Sequence, residues 1–158
     1  MPLHEYCNTD AVICSLEASD KQDALTQLVD ALVASKAIPK TRAEAIRQEI
    51  LDRESQASTG IGRGIGIPHA RTDKVKKIVM AIGRIPDGME FGAIDGELVR
   101  VILLLVSPKD KTDEHLAAMK TIVSIARDPY NSKRLQGCDT PQSFLDLLRE
   151  VETERQAT

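Results

Sequence analysis

Gly60-Ile-Gly-Arg-Gly-Ile-Gly-Ile-Pro-His-Ala-Arg71 carries a glycine at every second position and then reaches a histidine behind a proline. Alternate glycines leave one edge of an extended chain without side chains, so another backbone or a ligand can approach closely there. Glycine also weakens a strand. A chain that accepts this cost directly before Pro68-His69 points to a built site, with a bulged strand end as the structural alternative. Ile65-Gly-Ile67 reads as a short strand stopped by Pro68.

Upstream, Ser19-Asp-Lys-Gln22 has the pattern of a capping box, and Leu25, Leu28, Val29, Leu32 and Val33 follow at helical spacing. This predicts a helix over about residues 20–35. Thr41-Arg-Ala-Glu44 repeats the capping pattern after Pro39 and predicts a second helix to about Glu54, followed by a polar loop over Gln56–Gly60. Downstream, Lys77–Ile85 and Leu98–Val106 have the β-branched runs of buried strands, punctuated by Asp87-Gly88 and Asp95-Gly96. Thr112 is placed to cap a third helix bearing Leu116, Met119, Ile122, Val123 and Ala126, and Thr140-Pro141 opens a last one with Phe144, Leu147 and Leu148 inward. Helices before, between and after strands predict an α/β three-layer sandwich, a mixed β-sheet flanked by helices on both faces.

The 158 residues suit one domain with a sizeable core. Aromatics make up 3% of the chain, so that core must be aliphatic. A net charge of −3 without a basic block argues against sequence-independent nucleic-acid binding. Cys7, Cys14 and Cys138 are odd in number and lack C-x-x-C spacing, which favours reduced cytoplasmic thiols over a disulfide framework or zinc knuckle. The N-terminus does not read as a secretory signal, and Val101–Val106, the longest apolar run, is too short to span a bilayer. No direct membrane insertion is expected. No internal repeat or linker is evident.

Three glycine-rich loops fail against this stretch. Counting G-x-G-x-x-G from Gly60 or Gly62 ends on Ile65 or Ile67, no Gly-Lys-Ser/Thr follows, and G-x-S-x-G is absent. His69 remains as the one side chain in the loop that is both nucleophilic and titrates near neutral pH. A neutral imidazole can attack a phosphorus or acyl centre and leave again, as a group carrier requires. Pro68 biases Ile67 toward extended geometry, and Arg71, Arg63 and Arg53 are available to offset phosphoryl charge. A turn histidine with surface arginines accounts for the same residues. His115, at the start of the third helix, is a solvated or capping residue unless the fold brings it to His69. No ligand spacing supports a metal, and none is expected; His4 is assigned nothing.

Arg53-Glu54 followed by Ser58-Thr59-Gly60-Ile-Gly62-x-Gly64-Ile65-x-Ile67-Pro68-His69-x-Arg71 resembles the active-site signature of enzyme IIA (EIIA) type 2 domains of the bacterial phosphotransferase system, in the fructose/mannitol/nitrogen-regulatory class. The likeness continues in Phe91-x-Ala-Ile-Asp95-Gly96, in Val99–Val106 and in Lys111-Thr-Asp-Glu-His115-Leu116, covering about Ala18–Val151. It implies a domain over residues 18–152, with 1–17 as an extension or first strand and 153–158 as a tail. It also implies that His69 accepts a phosphoryl group through Nε2 from the phosphocarrier HPr and passes it to an enzyme IIB domain, without a cofactor. Arg53 and His115 are implied as the polar neighbours of that group, with Thr59, Gly60, Gly62 and Arg71 as binding candidates. A nitrogen-regulatory role, in which His69 phosphorylation controls partner proteins, is the alternative. The chain shows no IIB or membrane IIC portion, and a cytoplasmic stand-alone component is expected.

Overall fold

Val101 to Val106 is an unbroken aliphatic run, and such a run can be satisfied only where both faces of a strand are covered. The computed structural model, which describes residues 2–156, places it at the centre of a sheet. The strands are β1 (Cys7–Ile13), β2 (Gly60–Gly62), β3 (Ile65–Gly66), β4 (His69–Thr72), β5 (Val79–Met89) and β6 (Val99–Pro108). Their order is β1-β5-β6-β3-β2, and β4 also pairs with β6. β1 runs parallel to β5, β5 antiparallel to β6, and both β3 and β4 parallel to β6. The mixed sheet is therefore as expected.

The helices are α1 (Lys21–Ala34), α2 (Lys40–Gln56), α3 (Thr112–Arg127), α4 (Pro129–Gly137) and α5 (Pro141–Gln156). α1 and α2 lie together, α1 against β1 and β5 and α2 against β4, while α5 packs on β1 and α4 on β6. Leu25, Leu28 and Leu32 of α1 are fully buried. Each contributes about 1.5–3 kcal/mol by leaving water, which outweighs the weak helix preferences of the same segment.

Local signals shift by a residue where the backbone has a better partner. α1 is capped by Asp20, whose Oδ1 accepts from the Asp23 amide at 2.8 Å, while Asp23 Oδ2 accepts from the Ser19 amide at 3.0 Å. The cap thus lies at Asp20, with the Asp23 carboxylate reaching back one residue further to the Ser19 amide, and not at Ser19–Gln22. Thr41-Arg-Ala-Glu44 makes no box, because α2 begins at Lys40 behind Pro39, and Glu44 pairs with Arg47. Thr112 does not cap α3; it is the first helical residue, and its hydroxyl donates to the Lys109 carbonyl at 3.4 Å. Thr140 does cap α5, accepting from the Ser143 amide at 3.1 Å.

Asp87-Gly88 does not end β5. Gly88 takes φ 78° in an irregularity between Arg84 and Met89, after which Met89 pairs with Val99. β2 and β4 lie on either side of the one short strand expected before Pro68, and two elements outside the glycine stretch also escape the sequence pattern. β1 mixes Asn8, Thr9 and Asp10 into an edge strand, and α4 is opened by Asp128, whose side chain accepts from the Tyr130 and Asn131 amides. α5 continues through Gln156, past the expected start of the tail at 153; residues 157 and 158 of that tail lie outside the described residues.

Candidate functional site

β3 and β4 are two pieces of one line along β6, separated by Ile67-Pro68. Ile65 and Gly66 sit opposite Val101 and Ile102, and His69–Thr72 opposite Leu105–Pro108. Pro68 has no amide to add to the ladder and can only accept, which it does from the Leu105 amide at 3.0 Å. The Ile67 carbonyl turns instead to the His69 ring, 2.9 Å from Nδ1. A carbonyl accepts only, so Nδ1 must carry the proton, and the lone pair of the neutral ring is at Nε2.

Side chains two apart on a strand share a face, and partners in parallel register share it too. His69 and Arg71 therefore stand on the face carrying Leu105 and Ser107, while Ala70 and Thr72 are buried on the other, toward α2. α3 brings His115 to the first face. The two imidazoles lie 5.8 Å apart, centre to centre, with their planes at 46°. His115 is 4% exposed, and its Nδ1 is 2.8 Å from Ser107 Oγ. Burial, then the neighbouring His69 and Arg71, hold its pKa below the usual imidazole value. Arg71 is exposed and donates to the Lys109 carbonyl at 2.9 Å and to Thr112 Oγ1, tying β4 to the start of α3.

Arg53 occupies the last turn of α2, half-buried, and its guanidinium donates to the Ala57 carbonyl at 3.3 Å. That bond is to its own helix end and not to His69. Thr59 faces inward: its hydroxyl donates to Glu54 Oε2 at 2.7 Å and its amide to Glu54 Oε1 at 2.9 Å. The same buried carboxylate receives Lys21 Nζ at 2.9 Å, and that ammonium sits 4.1 Å from the centre of the Phe91 ring.

The glycine edge is occupied by the protein itself. A Cβ on Gly60 would lie 2.8 Å from Ala93, and one on Gly66 3.1 Å from the Phe91 ring. Gly62 and Gly64 take φ 94° and 80°, which only glycine adopts without strain, and they flank Arg63 at φ 57°. Asp95 Oδ2 accepts from the Arg63 amide at 3.0 Å, and Gln136 donates to the Arg63 carbonyl at 2.8 Å. The stretch is thus clamped by the 91–98 loop and by α4: of the two close approaches that alternate glycines allow, another backbone or a ligand, the one present here is by the protein's own chain. Ser107 and Glu54 were not singled out as functional residues. The visible signal for Ser107 was a lone hydroxyl ending an apolar strand, and for Glu54 a carboxylate at a helix end.

Among the described residues no cluster of histidine, cysteine and carboxylate is placed to hold a metal, and no helix is long and apolar enough to cross a membrane. What the site offers is one half-exposed nucleophilic nitrogen, a second, neutral ring and a nearby arginine, a set suited to a transferable anionic group.

Residues 5–151 match the family model described as "Phosphoenolpyruvate-dependent sugar phosphotransferase system, EIIA 2". The fructose-specific EIIABC component of Bacillus subtilis (strain 168) is 27% identical over 150 residues, which are 95% of this chain but only 23% of that longer protein. A nitrogen regulatory protein of Bradyrhizobium diazoefficiens is 29% identical over 150 residues, covering 94% of this chain and 95% of that one. Among solved structures, the nitrogen regulatory protein IIA-Ntr from Neisseria meningitidis shares the fold with a TM-score of 0.84 at 23% identity, covering 92% of this chain and 98% of that chain. The chain belongs to the EIIA type 2 family of the phosphoenolpyruvate-dependent sugar phosphotransferase system.

Proposed function

We propose that this chain is a cytoplasmic phosphocarrier that takes a phosphoryl group from an HPr-like donor onto Nε2 of His69 and hands it to an enzyme IIB domain. The observation that carries this reading is the His69 Nδ1 bond to the Ile67 carbonyl, which leaves Nε2 with its lone pair in a half-exposed ring. In the transfer, that lone pair forms the new P–N bond as the bond to the donor's phosphorylated side chain breaks, and the donor side chain leaves with the bonding pair. The return step is the same displacement, with the acceptor's side chain attacking phosphorus.

Such a transfer asks for positioning and charge stabilisation rather than for further covalent chemistry. His115, 5.8 Å from His69 ring to ring, and Arg71, on the same face of the strand, supply hydrogen-bond donors for the phosphoryl oxygens; Arg53 joins them when its guanidinium leaves the Ala57 carbonyl. Thr59, Gly60 and Gly62 serve by setting the path of the chain toward His69. Exposed Leu116, next to His115, and Ile94, 82% exposed in the loop that clamps Gly60, supply apolar surface for a protein partner. The acceptor is read from the Bacillus subtilis relative, whose name joins the A, B and C components in one protein.

The regulatory reading uses the same histidine. It is favoured by the end-to-end match to the Bradyrhizobium diazoefficiens nitrogen regulatory protein, and in it the phosphorylated and unphosphorylated surfaces are the output. Intact mass after incubation with phosphoenolpyruvate, enzyme I and HPr tests the common step. A phosphoryl adduct that is acid-labile and absent in His69→Ala is expected, and an adduct retained by that variant overturns the assignment. Subsequent loss of the adduct to a purified enzyme IIB domain then separates carrier from regulator.

A further inference from the structure

We propose that Ser107 is a positioning residue that holds His115 with its proton on Nε2, so that the two rings of the site present opposite tautomers. The inference deepens the reading above and rests on His69 being the phosphoryl acceptor.

Ser107 is fully buried at the end of β6 and lies opposite Arg71 in the register, on the His69 face of the sheet. Its hydroxyl oxygen meets His115 Nδ1 at 2.8 Å. Two arrangements fit this distance. If Nδ1–H donated to Oγ, the buried hydroxyl proton would need an acceptor of its own, and among the described residues Ser107 Oγ has no other hydrogen-bond partner. If the hydroxyl donates to Nδ1, both groups are satisfied at once. Leaving a buried hydroxyl proton unbonded is the costlier choice, so Nδ1 accepts and the neutral imidazole carries its proton on Nε2.

His69 is the reverse case, because a carbonyl at its Nδ1 forces the proton there and bares Nε2. The two rings, 5.8 Å apart, are therefore divided into one nucleophile and one donor. His115 cannot compete for phosphorus, since its only lone pair is buried against Ser107. Its Nε2–H is left to donate to an oxygen of a phosphoryl group bound to His69. Charge supports the division: burial, His69 and Arg71 all disfavour a second proton on His115, so its tautomer matters.

The test is a long-range 1H–15N correlation spectrum of the unphosphorylated, 15N-labelled full chain near neutral pH, for the unmodified protein, Ser107→Ala and Ser107→Thr. In the unmodified protein His69 should show the Nδ1–H pattern and His115 the Nε2–H pattern. Ser107→Ala should move His115 to a mixture of tautomers and slow phosphorylation of His69 in proportion to the fraction no longer protonated on Nε2, about twofold for an even mixture. Ser107→Thr, which keeps the hydroxyl, should restore the tautomer and most of the rate. An Nδ1–H pattern for His115 in the unmodified protein, or a tautomer unmoved by Ser107→Ala, overturns the proposal. Because the spectra are recorded without phosphate, failure of His69 to take up a phosphoryl group overturns the acceptor reading and leaves the tautomer result readable by itself.

Discussion

Glu54 shows how much one side chain can hold in place. It is buried, yet each oxygen is used: Oε1 receives Lys21 Nζ and the Thr59 amide, and Oε2 the Thr59 hydroxyl. Lys21 lies at the start of α1, Glu54 near the end of α2, and Thr59 one residue before the first glycine. A charge removed from water in this way is tolerated only while its partners remain. Glu54→Ala should cost about 3 kcal/mol or more in a urea titration, because the Lys21 ammonium and the Thr59 hydroxyl lose their acceptor together. The thiols give a second test at this scale. Burial pushes Cys7 up to about 12, so at pH 8 almost none of it is thiolate, whereas the less buried Cys14 is raised against the lowering pull of Arg84. Titration of the folded protein with a thiol reagent should modify Cys14 first and leave Cys7 unreacted until unfolding.

At the scale of the element, β2 and β3 form a hairpin whose shape depends on where the absent side chains would have been. Gly60→Ala would drive a methyl group to 2.8 Å from Ala93, against backbone as well as side chain. The 91–98 loop must then move away, at a cost of about 1–3 kcal/mol. Gly96 is the contrast: it has φ 74° but open space where a Cβ would go. Gly96→Ala should therefore cost only the left-handed backbone term, about 1–2 kcal/mol, without disturbing the hairpin. Amide hydrogen exchange separates the two, with faster exchange of the Ile94 amide, bonded to the Gly60 carbonyl, expected only in Gly60→Ala. α4 depends on its cap instead of its composition. Asp128→Ala removes the acceptor of two first-turn amides and should lower stability by about 1 kcal/mol by thermal denaturation.

For the whole molecule, the buried ring of His115 ties stability to pH. Its folded pKa lies below the usual 6.5, because burial and the neighbouring His69 and Arg71 disfavour the charged form. The unfolded chain therefore takes up a proton near pH 6.5 that the folded chain still refuses. Stability from this group is complete above about pH 6.5, falls as the pH drops toward the folded pKa, and levels off below it. Asp95, held below the ordinary carboxyl value by the Glu97 and Arg63 amides, adds a loss of the same sign at lower pH, beginning near its unfolded value of about 3.9. Urea midpoints measured from pH 8 to pH 5 should decline, and His115→Asn should flatten that decline.

The chain's local order was legible without its fold. Leu25, Leu28 and Leu32 at helical spacing, Thr140-Pro141 as cap and first turn, the aliphatic run from Val101 to Val106 and the Pro68-His69 pair each depend on neighbours within a few residues. β1 was not legible, because Asn8, Thr9 and Asp10 blur its alternation. Nor was the true cap of α1, where Asp20 and Ser19 both offered an oxygen and only the backbone geometry chose between them. For the site, the sequence by itself singled out His69 as the candidate acceptor, a titratable ring behind a proline at the end of a glycine-rich stretch, and left a turn histidine as the alternative. Tertiary structure decided the rest. Parallel pairing puts Arg71 opposite Ser107, and α3 then lays His115 over that face, 46 positions along the chain from His69. It also decided that the glycines admit Ala93, Asp95, Gln136 and Phe91. A missing side chain is written in the sequence, but what moves into its place is set by contacts between segments far apart in the chain.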